Sequence, residues 1–160
     1  PTRGLIGFNT YFLKTTKGDG SKTSKFSEYA PMKGDIKSET VGLLVTSEPG
    51  VSVTYGLLNA QGRGSTFIDA GTPVYEGMVI GMHQRDKDIA INVCKEKKLS
   101  NVRSSTSDIA KKLSPYIQMT LEETIDFITN DELIEVTPIN LRIRKKELSG
   151  LTRQKQHTLR

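Results

Sequence analysis

The sequence has little of several residue types, and each scarcity excludes a class of protein. A single cysteine, Cys94, among 160 residues excludes an internal disulfide framework and a multi-cysteine zinc site, and it favours a reducing compartment. No apolar run approaches the roughly 18–20 residues that a membrane-spanning helix needs, and no secretory signal is visible. Tryptophan is absent and aromatic residues make up 6%, yet 35% hydrophobic residues still suit a globular domain. Because the chain begins at Pro1 rather than at Met, we expect it to be part of a longer protein.

Glycine and proline, by contrast, are frequent enough to shape the fold. Fourteen Gly and six Pro imply many turns, which favours an α+β or strand-rich fold over a helical bundle. The spacing of Leu5, Phe8 and Phe12 predicts a helix over residues 1–16 that stops at Gly18. A strand is predicted over residues 22–29, followed by a linker over 31–38.

A second, strand-rich unit is predicted from about Thr40. Leu121–Thr129 reads as a helix, with Thr120 and Glu123 forming a capping box at its start. Residues 78–83 and 88–93 flank a polar turn and predict a β-hairpin. Residues 100–108 predict a loop, and residues 57–61 a short helix or loop. Further strands are predicted over residues 40–46, 51–55, 66–68, 133–137 and 141–144.

The usual signatures of catalysis are missing from the sequence. Gly56 to Ser65 lacks the lysine of a phosphate-binding loop, and no metal-binding motif appears. His83 and His157 are far apart, and Cys94 ends an apolar strand as a structural thiol does. Residues 71–81 resemble a strand and turn of a barrel-sandwich carrier domain, but no lysine stands where such a domain presents one. We therefore predict no catalytic residue, metal or cofactor site, and no small-molecule substrate, in this chain.

Charge is distributed in blocks along the second half of the chain. Residues 121–136 carry six acidic and no basic side chains. Residues 95–112 carry six basic and two acidic side chains, and residues 142–160 carry seven basic and one acidic. Clustered cations favour a phosphate-rich partner, because they release condensed counterions on binding. A solvated face with a basic tail is the alternative interpretation.

The stretch from Lys95 to Asp108 carries the most specific chemical signal. Its cations suit phosphate groups, and its Ser, Thr and Asn side chains can bond phosphate, ribose 2′-hydroxyl groups or base edges. Because it has no aromatic residue, base stacking is not its main mode of binding. The pattern favours a loop that enters a folded RNA.

Seven segments of the chain together match the pattern of one known family: Arg3–Phe8, Gly71–Gly81, Asn92–Lys95, Lys97–Arg103, Leu121–Glu123, Asp131–Pro138 and Leu141–Lys145. With these segments the chain resembles the C-terminal part of the BipA/TypA family of ribosome-binding translational GTPases. The resemblance runs from Pro1 to about Leu148.

The resemblance implies a domain layout. Residues 1–33 would be the second half of a ferredoxin-like fifth domain, similar to that of elongation factor G, and residues 34–148 the family-specific C-terminal domain. Residues 149–160 would be a basic, disordered tail. GTP and magnesium would bind elsewhere in the parent protein, so this fragment itself would not be an enzyme.

The resemblance also implies a cytoplasmic, ribosome-associated role without membrane contact. The partners would be large-subunit ribosomal RNA and the acceptor end of the A-site tRNA. The residues expected to contact RNA are Lys95, Lys97, Lys98, Asn101, Arg103, Ser104, Ser105, Ser107, Lys111, Lys112, Arg142, Arg144 and Lys145.

The sequence departs from the family pattern at two places. Gln61–Gly64 reads Gln-Gly-Arg-Gly where relatives tend to have Gln-Glu-Arg-Gly, which weakens the predicted helix, and Thr106 stands where Gly is frequent. Two other functions remain open at this point. One is a protein–protein docking domain whose acidic helix 121–129 engages a basic partner, and the other is a small enzyme or carrier.

Overall fold

The described structure combines one mixed sheet with separate short helices. The computed structural model describes residues 1–5, 7–32, 34, 41–96 and 112–153. The helices are α1 (Phe8–Thr15), α2 (Thr54–Gln61) and α3 (Leu121–Phe127), preceded by a 3₁₀ turn at Thr2–Leu5. The strands are β1 (Leu43–Thr46), β2 (Gly50–Val51), β3 (Gly64–Thr66), β4 (Pro73–Val74), β5 (Met78–His83), β6 (Ile89–Ile91), β7 (Glu132–Val136) and β8 (Leu141–Lys145). The predicted α+β class is confirmed.

The main sheet is built around β5. Its strand order is β6-β1-β5-β8-β7, and β2 pairs with β4 in a separate two-stranded sheet. On one side of β5 lies β1, which is antiparallel to β5 and parallel to β6. On the other side, β8 pairs with the first residues of β5 and β3 pairs with the last. The long apolar strand β5 thus contacts three other strands.

Both faces of the main sheet are buried, because successive side chains of a strand point to opposite faces. Leu44 and Ile80 belong to one apolar cluster, which α2 covers with Leu57 and Ala60. Their neighbours Leu43, Val45 and Val79 belong to a second cluster. Met119, Phe127 and Ile128 pack against this second cluster, and the Phe127 ring meets Phe67 edge-on at 5.6 Å. Burial on both sides explains why β1 and β5 are continuous apolar runs rather than alternating ones.

One glycine is required where β3 approaches β5. A Cβ atom on Gly64 would lie 1.8 Å from the carbonyl oxygen of Met82, which no side chain tolerates. Gly77 has a different constraint, since its φ of +85° lies in the left-handed region and its N–H donates to the carbonyl oxygen of Thr46. Both glycines belong to the geometry of β5.

The structure corrects the predicted hairpin. β5 and β6 are not neighbours, because β1 lies between them and pairs with both. The polar turn reverses the chain as expected, but sequence adjacency does not make two strands pair. β1 is buried along its whole length, whereas β6 is buried only at Ile91, and β1 takes the position beside β5, where its side chains enter both clusters. Both strand segments themselves are confirmed.

Three other predictions differ from the structure. Residues 22–29 form no strand among the described residues and are exposed, since a strand exists only where a neighbour accepts its backbone bonds. Residues 51–55 are mostly not a strand, because β2 ends at Val51 and α2 begins at Thr54. Residues 150–153 are helical, whereas the sequence predicts disorder from residue 149. The Arg153 guanidinium donates to the carbonyl oxygens of Glu147 and Leu148 and holds this turn.

The start of α3 has the predicted capping box. The Thr120 hydroxyl accepts from the Glu123 N–H at 3.3 Å, and the Glu123 carboxylate accepts from the Thr120 N–H at 2.9 Å. Lys14 of α1 also contacts that carboxylate at 2.6 Å. Bonding to Lys14, followed by the bonds to Thr120, holds the pKa of Glu123 below its usual range. This ion pair joins the N-terminal helix to the second unit.

A buried lysine connects distant parts of the sheet. The Lys145 ammonium lies 2.6 Å from Asp88, 2.8 Å from Asp131 and 2.5 Å from Glu132, and its side chain is only 4% exposed. Burial by itself would lower the pKa of Lys145, but the bonds to Asp131, Asp88 and Glu132 outweigh it and raise the pKa above the ordinary value. Lys145 therefore stays charged and holds three carboxylates together.

Replacing Lys145 should destabilise the domain severely. Lys145→Ala leaves the buried Glu132 carboxylate without its counter-ion, and breaking such a pair costs about 3–5 kcal/mol of unfolding free energy. Chemical denaturation measures this loss. The neighbouring exposed residue provides the control, because Lys146→Ala should change stability by no more than about 0.5 kcal/mol. Equal effects of the two substitutions would contradict the assigned role of Lys145.

The same cluster should resist mild acid. Burial raises the pKa of Asp131, but the bonds from Lys145 and Thr129 outweigh it and hold the pKa at about 2. An Asp titrates near 3.9 in an unfolded chain, so this contribution to stability is complete above about pH 4 and disappears as the pH falls towards 2. Denaturation curves at several pH values should show less acid dependence for Asp131→Asn. An identical acid dependence in the variant would disprove the assignment.

Candidate nucleic-acid interface

The two ends of the cation-rich segment are fixed on the same apolar core. Cys94 precedes residues 97–111 and Leu113 follows them. Both side chains pack against the cluster that contains Leu44, Leu57 and Ile80. The same core cluster therefore supports the segment at both of its ends.

Hydrogen bonds hold each end as well. The Val93 carbonyl oxygen accepts from the Val53 N–H at 2.9 Å, just before α2 begins. At the other end, the Gln61 side chain makes a reciprocal pair with Ser114: its amide group donates to the Ser114 carbonyl at 2.8 Å and its oxygen accepts from the Ser114 N–H at 2.9 Å. The two ends of α2 thus lie next to the two ends of the segment.

The Gln61–Ser114 pair is a feature that the sequence does not reveal. The two residues lie 53 positions apart, and neither belongs to a motif. Gln61 is the last residue of α2, so the Gly62 that follows ends the helix without removing it. A helix over residues 57–61 is confirmed, although it begins earlier, at Thr54.

Most of the predicted RNA contacts cannot be placed. Lys95 and Lys112 are exposed, one at each end of the segment. The remaining loop residues lie outside the described residues: Lys97, Lys98, Asn101, Arg103, Ser104, Ser105, Ser107 and Lys111.

The three basic residues of β8 that the sequence predicts to contact RNA differ in how far their charged groups are exposed. Arg142 is half-buried. Arg144 is also half-buried and pairs with Glu135 at 2.9 Å, and Glu135 in turn accepts a bond from the Tyr75 hydroxyl at 2.6 Å. Burial, together with this bond, raises the pKa of Tyr75. Lys145 is buried and surrounded by carboxylates, so its prediction as an RNA contact is wrong. Alternation along β8 places it in the interior.

The remaining titratable candidates show no catalytic arrangement in the described part of the chain. The His83 Nδ1 atom lies 2.6 Å from the Lys87 carbonyl oxygen. Cys94 is half-buried, and burial followed by the charge of Glu48 raises its thiol pKa. No group of three or more His, Cys, Asp or Glu among these residues could hold a metal ion. The helices in the described ranges are all too short or too polar to cross a membrane.

The acidic helix is partly occupied within the protein. Glu123 bonds both Lys14 and the start of its own helix. Glu122 and Asp126 are exposed. The docking function considered for this helix could therefore not use the whole acidic block, because Glu123 is already bonded within the protein.

The fold and the site together define an α+β domain that holds a cation-bearing segment by two anchored ends. Comparison with known proteins shows which family has this domain. The family model described as the TypA/BipA C-terminal domain matches residues 41–150. The chain belongs to this family.

Several curated relatives carry the name "Large ribosomal subunit assembly factor BipA". The chain is 46% identical to the relative from Synechocystis over 145 residues, which are 91% of the chain and 24% of that protein. It is 42% identical over 156 residues to those from Bacillus subtilis and Escherichia coli K12, covering 97% of the chain and 26% of each relative. The chain therefore spans about a quarter of the length of these relatives.

Removing the Gln61 amide should loosen one end of the segment without unfolding the domain. Gln61→Ala deletes two hydrogen bonds to the Ser114 backbone, each worth about 1 kcal/mol net. We expect faster hydrogen exchange at the Ser114 N–H, measured by NMR or mass spectrometry. Gln118→Ala is the control, because the Gln118 amide is exposed and, within the described ranges, bonds only the Tyr116 hydroxyl. Unchanged exchange at Ser114 in Gln61→Ala would show that the pair does not hold this end.

Proposed function

We propose that the chain is a non-catalytic ribosome-binding module of a cytoplasmic translational GTPase. It binds large-subunit ribosomal RNA and the acceptor end of the A-site tRNA through the segment between Cys94 and Leu113. GTP and magnesium are bound by another part of the parent protein, where hydrolysis takes place. The module supplies binding and orientation rather than chemistry.

The observation that carries this proposal is the double anchoring of a cation-rich segment. Cys94 and Leu113 hold its ends on one core cluster, and Lys95 and Lys112 lie exposed beside them. A loop with fixed ends loses less conformational entropy on binding than a free tail does, so more of its electrostatic attraction appears as affinity. Such a base suits a segment that must reach a defined place in a large polyanion.

The relatives support the same partner. Their name describes them as factors in the assembly of the large ribosomal subunit. They share 42–46% identity with this chain over nearly its whole length. Since the chain covers about a quarter of each relative, three quarters of each relative lies outside the match. That remainder offers room for the GTP-binding part, which this module would position on the ribosome.

Several basic side chains are used within the protein, whereas those at the two ends of the segment are exposed. Lys145, Arg144 and Lys14 are paired with carboxylates, and they therefore contribute little to long-range attraction. The cations that surround residues 97–111 in sequence are exposed instead. Lys95 and Lys112 thus place two exposed cations at the base of the segment, where they can attract phosphates.

Loss of the loop cations should weaken ribosome binding. In the full-length protein, Lys97→Ala, Lys98→Ala and Arg103→Ala together should lower the affinity for ribosomes and make log K less steeply dependent on log salt, by about two to three units of slope. Co-sedimentation at several salt concentrations measures both quantities.

The matched control removes the same charge elsewhere. Lys17→Ala, Lys25→Ala and Lys146→Ala replace three exposed lysines that lie away from the segment. The control should leave most of the affinity intact. Unchanged co-sedimentation of the loop variant, or an equal loss in both variants, would contradict the proposed function.

A further inference from the structure

A groove lies beside the C-terminal end of the anchored segment. It encloses about 520 Å³ and is lined by residues from α2, β3, β5 and the stretch 114–117. Small-molecule sites commonly measure roughly 300–1,000 Å³, so a single nucleotide unit fits this size range. Its apolar surface comes from Val41, Met82, Pro115 and Ile117.

Polar groups line the same groove and can bond a ligand. Gln61, Ser65, His83, Gln84 and Ser114 all contribute to its wall. The His83 Nδ1 atom lies against the Lys87 carbonyl oxygen, so in the neutral ring Nδ1 carries the proton and Nε2 is the acceptor. Donors and acceptors of several kinds beside an apolar floor suit a flat heterocycle with polar edges, which is the chemistry of a nucleobase.

Two exposed arginines are close in sequence to residues that line the groove. Arg63 lies on the turn from α2 to β3, between Gln61 and Gly64, which both line the groove. Arg85 directly follows Gln84, which also lines it. The Gln84 N–H donates to the Arg63 carbonyl oxygen at 3.0 Å, so the two turns are held together. Both arginines are exposed, and no ion pair involving them is found among the described residues. Guanidinium groups in this position suit the phosphates on either side of a bound base.

We propose that this groove binds one unpaired nucleotide of RNA, with the base in the groove and its flanking phosphates at Arg63 and Arg85. The inference rests on the proposed function, because it adds a base-recognition site next to the cation-bearing segment. It assigns the reading of the base edge to Ser65, His83 and Gln84, while Gln61 stays bonded to Ser114 and forms the wall; the segment itself has no aromatic platform for a base.

The test uses the full-length protein saturated with GDP and short fluorescent single-stranded oligoribonucleotides of each base. Ser65→Leu places a bulky apolar side chain in the groove without adding a ring on which a base could stack. It should weaken binding of the preferred oligonucleotide at least about fivefold in fluorescence anisotropy. A 4-thiouridine probe should crosslink to peptides that contain residues 61–66 or 82–84.

Two further variants keep the result interpretable. Asn59→Leu makes the same kind of change at an exposed position of α2 outside the groove and should leave binding unchanged. Arg63→Gln changes only an exposed turn residue, so it tests the site even if Ser65→Leu unfolds. It should weaken binding and reduce the salt slope by about 0.7, the value for one phosphate contact with a single strand.

The outcomes separate this inference from the proposed function. Unchanged binding in folded Ser65→Leu and in Arg63→Gln, or crosslinks only outside the groove, would overturn the groove site, whatever the ribosome experiment shows. Weakened oligonucleotide binding in both variants supports the groove even if the loop variant still co-sediments with ribosomes, a result that would count against the proposed function alone.

Discussion

The shape of the sheet depends on the ion pairs that the Lys145 ammonium makes with three carboxylates. The strand order places β6 and β7 at opposite edges. Lys145 nevertheless contacts Asp88, which precedes β6, as well as Asp131, which precedes β7, and Glu132, its first residue. The sheet must therefore curl until the starts of its two edge strands come together. Three carboxylates around one cation leave an excess of negative charge, which water can stabilise because the Asp88 and Asp131 side chains are 41% and 68% exposed. Burying such a cluster contributes less to net stability than to selecting one arrangement of strands.

The curled sheet determines where the functional segment is anchored. With β1 and β5 in its centre, one face is covered by α2, and both ends of α2 then lie against the stretches that flank residues 97–111. The stretch after this segment is tied to β3 as well, through the bond from the Ile117 N–H to the Thr66 carbonyl oxygen. The groove is formed between the same elements. The anchored ends of the segment and the groove thus share one support.

Local patterns in the sequence predicted most helices and strands. Which strands pair with each other, however, is visible only in the three-dimensional structure. The capping box at Thr120 and the strand over residues 78–83 depend on neighbouring residues, and both are confirmed. The hairpin prediction was wrong because β1, which lies more than thirty residues before β5 in the sequence, is inserted between β5 and β6 in the sheet. The sequence around the turn does not reveal this insertion. The strand over residues 22–29 had a suitable pattern but no neighbour among the described residues. For the site, exposed Lys95 and Lys112 agree with the sequence, whereas Lys145 and the Gln61–Ser114 pair depend on long-range contacts that no spacing reveals.

The fate of the cations explains why net charge is a poor guide to binding in this domain. A block of basic residues at 142–146 looks equivalent to the block at 95–112, but alternation along β8 sends Lys145 inward to carboxylates and leaves Arg144 beside Glu135. The acidic block is used in the same way: Glu123 pairs with Lys14 and Glu135 with Arg144, whereas Asp131 and Glu132 share Lys145. Opposite blocks that are adjacent in sequence therefore cancel within the fold. The cations that remain available to a polyanion lie outside the sheet, on the turns and at the two anchored ends. Their positions determine where a polyanion can bind, which the total charge of +5 does not reveal.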